Sequence, residues 1–317
     1  MFLGHNMNDK IHWIEVRFTA DGEVAEALAD VLGRFVSNGV VIEAITRHNP
    51  TTKDHEPTGK VAVVGYLAVN EQLEEKRNQL TEALWHLGQI TPLPEPQYKP
   101  IKDQNWMEAW KEHYRPFQVG EKILVMPAWE KPKQNEEKLV VRINPAMAFG
   151  TGTHPSTQLC LQLVERYIKK GGNFIDVGCG SGILSIAAIR LGTIHALAVD
   201  VDNQAVTATR ENSAINDLKP GALETGLGSV DEIRSNQFSI QQAPLVAVNI
   251  LASVILQLFD KGLGDLVSEE GVLLLSGILE PQLEDVLQSA KAAGFSLLEQ
   301  IFDEDWVSLA LKKDTAS

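Results

Sequence analysis

Ile175-Asp176-Val177-Gly178-Cys179-Gly180-Ser181-Gly182-Ile183-Leu184 is the stretch on which the reading of this chain turns. Its first residues end a short apolar run, Asn173–Val177, and its last residues open helical periodicity over 182–191. Glycines at 178, 180 and 182 form the turn between them. Glycine adopts positive φ freely and lets a ligand approach the main chain. Further β-rich runs without alternation lie at Ala196–Val199, Leu245–Ile250 and Val272–Leu275, with helical segments at 203–216 and 252–267. Unalternating apolar strands separated by helices predict a doubly wound, mainly parallel sheet covered on both faces. Phe295–Phe302 and Trp306–Leu311, joined by Asp303-Glu304-Asp305, predict a terminal hairpin, so one strand of the sheet must run antiparallel.

Ligands of such sheets bind at the carboxyl ends of the strands. Asp200 closes the strand after the glycine loop, 22 residues beyond Gly178. A carboxylate there accepts hydrogen bonds from both hydroxyls of a ribose. A dinucleotide site normally shows G-x-G-x-x-G, with a helix N-terminus facing the pyrophosphate. Here the spacing is G-x-G-x-G, and Asp176 precedes the loop by two residues. An acidic group at the loop entry suits a cationic ammonium better than a pyrophosphate, which favours S-adenosylmethionine over NAD. A nicotinamide-dependent oxidoreductase, a tight turn without ligand and a binding module with a vestigial pocket remain the competing readings.

Asn249 ends the next buried run, Ala247-Val248-Asn249-Ile250-Leu251-Ala252. Its amide oxygen can accept a hydrogen bond from an amine; the alternative is an N-cap for 252–267. The loop Phe149–Thr157 holds two glycines and three threonines and reads as a polar lid ahead of a helix. Pro155 suits the first helical position, with His154 or Thr153 as cap. A single loop histidine is more often structural than a base. The general base and the metal cluster that other chemistries need are both expected to be absent.

Upstream, alternation in Ile14–Phe18 predicts a half-buried strand, and Val24, Ala27, Leu28, Val31, Leu32 and Phe35 predict a helix over 22–37 closed by Asn38-Gly39. Strands at Val40–Ile45 and Lys60–Val69, a helix over 71–88 and a last strand near Tyr98–Ile101 complete a ferredoxin-like α+β order. Thr91–Pro100 carries four prolines and reads as a stiff extended linker. Asp103 can cap a following helix with Trp106 and Trp110 on one face. Glu130–Lys138 reads as a charged loop. The expected domains are residues 1–100, a connecting segment 101–138, and the doubly wound domain 139–317.

The 317 residues carry a formal charge of −14, which disfavours a polyanion as main partner, since nucleic acid is bound by neutralising phosphates with Lys and Arg. Two cysteines, Cys160 and Cys179, exclude a disulfide scaffold and a four-cysteine zinc site. The first residues lack an apolar run behind a basic start, and no run approaches a membrane span. A cytoplasmic monomer, working without nucleic acid or membrane, is expected.

Trp106-Met-Glu-Ala-Trp110-Lys-Glu-His113, Pro127-Ala-Trp129, Ala148–Thr157, Asp176–Leu184, Val199-Asp200-Val201-Asp202, Asn249-Ile-Leu-Ala252 and Leu275-Ser-Gly-Ile-Leu279 together resemble the ribosomal protein L11 methyltransferase family, over roughly Asp103 to Lys312. The resemblance implies a Rossmann-like methyltransferase domain and an N-terminal domain that recognises the substrate. It implies methylation of the N-terminal α-amine and lysine ε-amines of L11, with Thr157, Gly178, Asp200 and Asn249 contacting S-adenosylmethionine and Asn249 also seating the amine. The sequence departs from the family pattern at Ala146, where Pro-Gly is usual, and at Val248, often Ala. Nucleobase amino-methyltransferases carry Asn/Asp-Pro-Pro-aromatic at the Asn249 strand end, the ring stacking on a flipped base. Here the prolines are absent and Ala252 stands in the fourth place, which favours an aliphatic amine. A methyltransferase for RNA or for a small-molecule amine is the alternative.

Overall fold

The computed structural model describes residues 11–36, 40–48, 55–88, 92–102, 115–132, 136–144 and 152–314. The Asn38-Gly39 cap, the Asp103 cap with Trp106 and Trp110, Ala146, and the first part of the 149–157 loop fall outside them. The chain divides into two compact units, Met1–Tyr114 and Arg115–Ser317.

The first unit runs β1 (Ile11–Ala20), α1 (Gly22–Gly33), β2 (Val40–His48), β3 (His55–Ala68), α2 (Leu73–Gly88) and β4 (Gln97–Lys102). Its sheet has the order β2-β3-β1-β4 with every neighbouring pair antiparallel, the split βαβ arrangement. Val16, Phe18, Val63 and Leu67 project from the central strands onto Leu28, Leu32 and Leu80 of the two helices. The proline-rich segment is only partly a linker, because its second half is β4, hydrogen-bonded along β1. Pro100 is tolerated there because β4 is the edge strand, and an edge residue need not donate outward.

The second unit opens with a small sheet in the order β5-β6-β7, formed by Phe117–Val119, Ile123–Pro127 and Leu139–Ile143. These short strands lie in the stretch read as a connecting segment and at the expected domain start. They belong to the second unit because Val119, Ile123, Val125, Val141 and Ile143 are buried in its core. After α3 (Pro155–Tyr167) come β8 (Asn173–Val177), α4 (Ile183–Leu191), β9 (His195–Asp200), α5 (Asn203–Ile215), β10 (Leu223–Leu227), α6 (Val230–Arg234), β11 (Ala243–Asn249), α7 (Ala252–Asp260), β12 (Val267–Leu279), α8 (Leu283–Ala292), β13 (Phe295–Asp303) and β14 (Trp306–Lys313).

The large sheet has the order β10-β9-β8-β11-β12-β14-β13. Strands β10 to β12 are parallel, and β14 alone runs against its neighbours, as the hairpin requires. Phe174 and Ala196 face one core, while Ile175, Val177 and Leu197 face the other. Burial on both faces explains why these strands show no alternation. The helix expected over 252–267 stops at Asp260 and resumes as a short 3₁₀ turn, Leu263–Leu266, because Gly262 sits at φ +88°. Among the described residues no helix is long and apolar enough to cross a membrane.

Candidate active site

The four residues singled out in the sequence all lie at the carboxyl ends of adjacent strands or on the helix facing them. Val177 pairs with Val199 on one side and with Val248 on the other, so Gly178, Asp200 and Asn249 each lie just past a matched rung of β8, β9 and β11. Thr157 sits in the first turn of α3 and is completely buried.

The glycine loop is shaped from within. Gly178, Gly180 and Gly182 adopt φ values of +78°, +52° and +78°. A Cβ on Gly178 would fall 2.5 Å from Ile250 Cγ2, and one on Gly182 would fall 2.7 Å from Thr209 Cγ2. Close approach and backbone conformation therefore both demand glycine at these two positions. The amides of Gly178 and Cys179 donate to the Val199 carbonyl at 2.8 and 3.0 Å, tying the loop to the end of β9. Asp200 completes that tie: its two oxygens accept the Gly180 and Asp202 amides, each at 3.0 Å. Each carboxylate oxygen retains capacity for a further donor.

Asp176 is enclosed behind the loop with no exposure. Its Oδ2 accepts the Ser185 hydroxyl at 2.7 Å, and its Oδ1 is buried without a partner. Burial raises its pKa from 3.8 to about 7, the Ser185 hydrogen bond works against this, and the negative charge of Asp200 adds to the rise. Asp176 thus sits behind the loop, bonded to the first turn of α4 through Ser185. The same burial drives the Cys160 and Cys179 thiols upward, so neither is a thiolate nucleophile.

Asn249 donates from Nδ2 to Thr157 Oγ1 at 3.3 Å. Its Oδ1 is buried and has no partner. An orphaned buried acceptor is costly and rare, and at a strand terminus it marks a place where a donor belongs. Asn249 is not the N-cap of α7; that position is Leu251, without a side-chain cap bond. His154 does cap α3: its Nδ1 accepts the Ser156 amide at 3.2 Å and lies 2.7 Å from Ser156 Oγ. Its ring meets Trp306 edge-on with centroids 4.7 Å apart, and burial lowers its pKa to about 4. Capping and packing give His154 a structural place at the start of α3.

Several residues that hold this site had no signal in the sequence. Thr209 donates to the Gly180 carbonyl at 2.9 Å. Asn212 donates to the Ser181 carbonyl at 2.9 Å and accepts the Asn144 amide at 2.8 Å. Both lie on α5, where small polar residues look like a solvent face; their full burial is visible only in three dimensions. The exposed Val201 and Leu227 flank Asp200 across the β9–β10 ladder and offer apolar surface beside its carboxylate.

The glycine cradle, Asp200 with spare acceptor capacity, the apolar flank and the unpartnered Asn249 oxygen fit a cationic nucleoside donor. The Asp200 carboxylate bonded to the loop opposes a pyrophosphate. Comparison with known proteins agrees. Residues 12–314 match the family model described as "Ribosomal protein L11 methyltransferase (PrmA)". A ribosomal protein L11 methyltransferase of Herpetosiphon aurantiacus is 34% identical over 325 residues, covering 96% of this chain and 99% of that protein. One from Geobacillus thermodenitrificans is 35% identical, covering 95% and 99% respectively. The crystal structure of the ribosomal protein L11 methylase from Lactobacillus delbrueckii subsp. bulgaricus superposes with a TM-score of 0.56 at 30% identity, covering 64% of this chain and all of that one. By its sequence over residues 12–314, and by the sheet that carries the site, this chain belongs to the ribosomal protein L11 methyltransferase family.

Proposed function

We propose that this protein transfers methyl groups from S-adenosylmethionine to amines of ribosomal protein L11, its N-terminal α-amine and lysine ε-amines. One observation carries the reading: a buried amide oxygen, Asn249 Oδ1, without a partner, beside a glycine turn shaped for close ligand approach. Gly178 and Asp200 would hold the nucleoside and amino-acid parts of the donor, with Thr157 and Asn249 closing the opposite side. When bound, S-adenosylmethionine supplies an electrophilic methyl carbon on a sulfonium.

The protein's own task is to present an uncharged amine in line with that carbon. A lysine in water has a pKa of about 10.4, and removal from water favours its neutral form. Asn249 Oδ1 accepts one N–H of the neutral amine and thereby aims its lone pair. His154 is already bonded through Nδ1 and buried, so the proton released on product formation leaves to solvent. Catalysis is thus mainly proximity and orientation. The acidic chain, at −14, complements a lysine-rich substrate protein. The first unit is read as the part that recognises L11. Both sides of the crevice come from one chain, and the reading needs neither a second copy nor nucleic acid.

Mass spectrometry of L11 incubated with the enzyme and isotopically labelled donor tests this. The expected result is label on L11 in methyl-mass increments; an unshifted L11 with label in an RNA or small-molecule fraction would reassign the substrate. Asn249→Ala should lower kcat about 100-fold while donor affinity changes by less than about ten-fold. A near-normal kcat in the folded variant would remove the orienting role.

A further inference from the structure

Ser276 lies on β12 as the register partner of Asn249 on β11, and its side chain is completely buried. Its hydroxyl donates to the Ser156 carbonyl at 2.7 Å and lies 2.5 Å from Ser308 Oγ on β14. With its one proton committed to Ser156, Ser276 accepts from Ser308. Ser156 immediately precedes Thr157, whose hydroxyl receives Asn249 Nδ2. Asn249, Thr157, Ser156 and Ser276 therefore form a closed ring, its last side being the β11–β12 pairing itself.

The strand is bent at that point. The β12–β14 ladder slips between Leu275 and Ile278, and Gly277 takes φ +79°. A Cβ on Gly277 would fall 2.3 Å from the Ile250 carbonyl oxygen. The bulge thus brings the β12 main chain close to that just beyond Asn249, as only glycine permits, while Ser276 reaches across to α3. Bulges beside active sites commonly re-aim a side chain in this way.

The outer torsion of an asparagine is broad and two-fold, so an amide with one long hydrogen bond can turn over. Turned over, Asn249 would offer its NH₂ where the amine needs an acceptor. We propose that Ser276 is a positioning residue for methyl transfer: by fixing the first turn of α3 through the Ser156 carbonyl, it keeps the Thr157 hydroxyl where it holds the Asn249 NH₂ and leaves Oδ1 for the incoming amine. This rests on the role of Asn249 given above. Ser276 touches neither Gly178 nor Asp200, so it reaches the donor only through Thr157 and Asn249, and the main donor contacts stay in place without it.

The test combines kinetics with a readout that needs no substrate. Ser276→Ala should lower kcat about ten-fold or more, with the dissociation constant for S-adenosylmethionine within about three-fold of wild type. Ser308→Ala, which leaves the Ser276 donation in place, should stay within about three-fold in kcat. The Ser276→Ala/Asn249→Ala double variant should be no slower than Asn249→Ala alone, because both act through one amide. By NMR, the Asn249 side-chain NH₂ resonances should shift in Ser276→Ala and not in Ser308→Ala. Multiplicative losses, a parallel fall in donor affinity, or unmoved Asn249 resonances would each overturn the proposal. If Ser276→Ala does not fold, Ser276→Cys, with a weaker donor of similar size, carries the same comparisons and should lie between wild type and Asn249→Ala. Should the wild type leave L11 unmethylated, the substrate reading fails, while the Asn249 resonances still decide the role of Ser276.

Discussion

At the scale of single residues the site is built from groups whose polar atoms are almost all satisfied, and the exceptions are informative. Asp176 Oδ1 and Asn249 Oδ1 are both buried without partners, on neighbouring strands of one sheet. Asp176 has a stability consequence. Its folded-state pKa of about 7 lies above the unfolded value of 3.8. Below both values each state holds the proton and nothing is lost. Between them the unfolded chain ionises first while the folded protein keeps its proton, so stability falls as pH rises, and above about 7 the full penalty is present. The slope is at most roughly 1.4 kcal/mol per pH unit. Asp176→Asn keeps an acceptor for Ser185 and removes the titration. Urea unfolding at about pH 5 and about pH 8 should show the wild type losing stability relative to Asp176→Asn across that interval. Parallel behaviour of the two proteins would show that Asp176 does not titrate there.

At the scale of elements, the small sheet is fastened to the large one by amides rather than by strand pairing. Asn216, fully buried at the end of α5, accepts the Arg142 amide at 2.8 Å and donates to the Arg142 carbonyl at 2.6 Å, standing in for a further strand alongside β7. Arg142 itself reaches the Ile215 carbonyl and pairs with Asp217. Asn216→Ala would leave both main-chain groups of Arg142 unpaired, and should lower stability by about 2–4 kcal/mol and speed hydrogen exchange at the Arg142 amide. Unchanged exchange there would mean the clamp is dispensable. This clamp also shows where sequence reading ran out. Strands β8, β9 and β11 were legible because two-sided burial writes a continuous apolar run, and the glycine loop because positive φ at 178 and 182 combines with neighbours too close for a Cβ. Strand β10, Leu-Glu-Thr-Gly-Leu, was not, because an edge strand only partly buried carries no such run. Helix α8 went unread for a similar reason, with only Val286 and Ala290 buried along it. Ser276 and the α5 amides look like solvent-facing residues until the elements are assembled. Pro155 marked the start of α3 with His154 or Thr153 as its cap, and the structure selects His154.

At the scale of the molecule, the two units have separate hydrophobic cores: Val16, Phe18, Leu28, Leu32, Val63 and Leu80 in the first, and two clusters on either face of the large sheet in the second. Each core is of the kind that supports an independently folding domain. A fragment spanning 115–317 should therefore fold and bind S-adenosylmethionine within about ten-fold of the full chain, yet lose at least about 100-fold in kcat/KM on L11. Equal turnover of L11 by the fragment would place recognition in the second unit instead. The strand order adds a demand on folding. Trp306–Lys313, the last strand among the described residues, inserts between β12 and β13 rather than adding at the rim. Until it docks, β12 has one unpaired edge and β13 has no strand partner, surfaces prone to association with other chains. A chain lacking Trp306–Lys313 is therefore expected to aggregate rather than persist as a loosened enzyme.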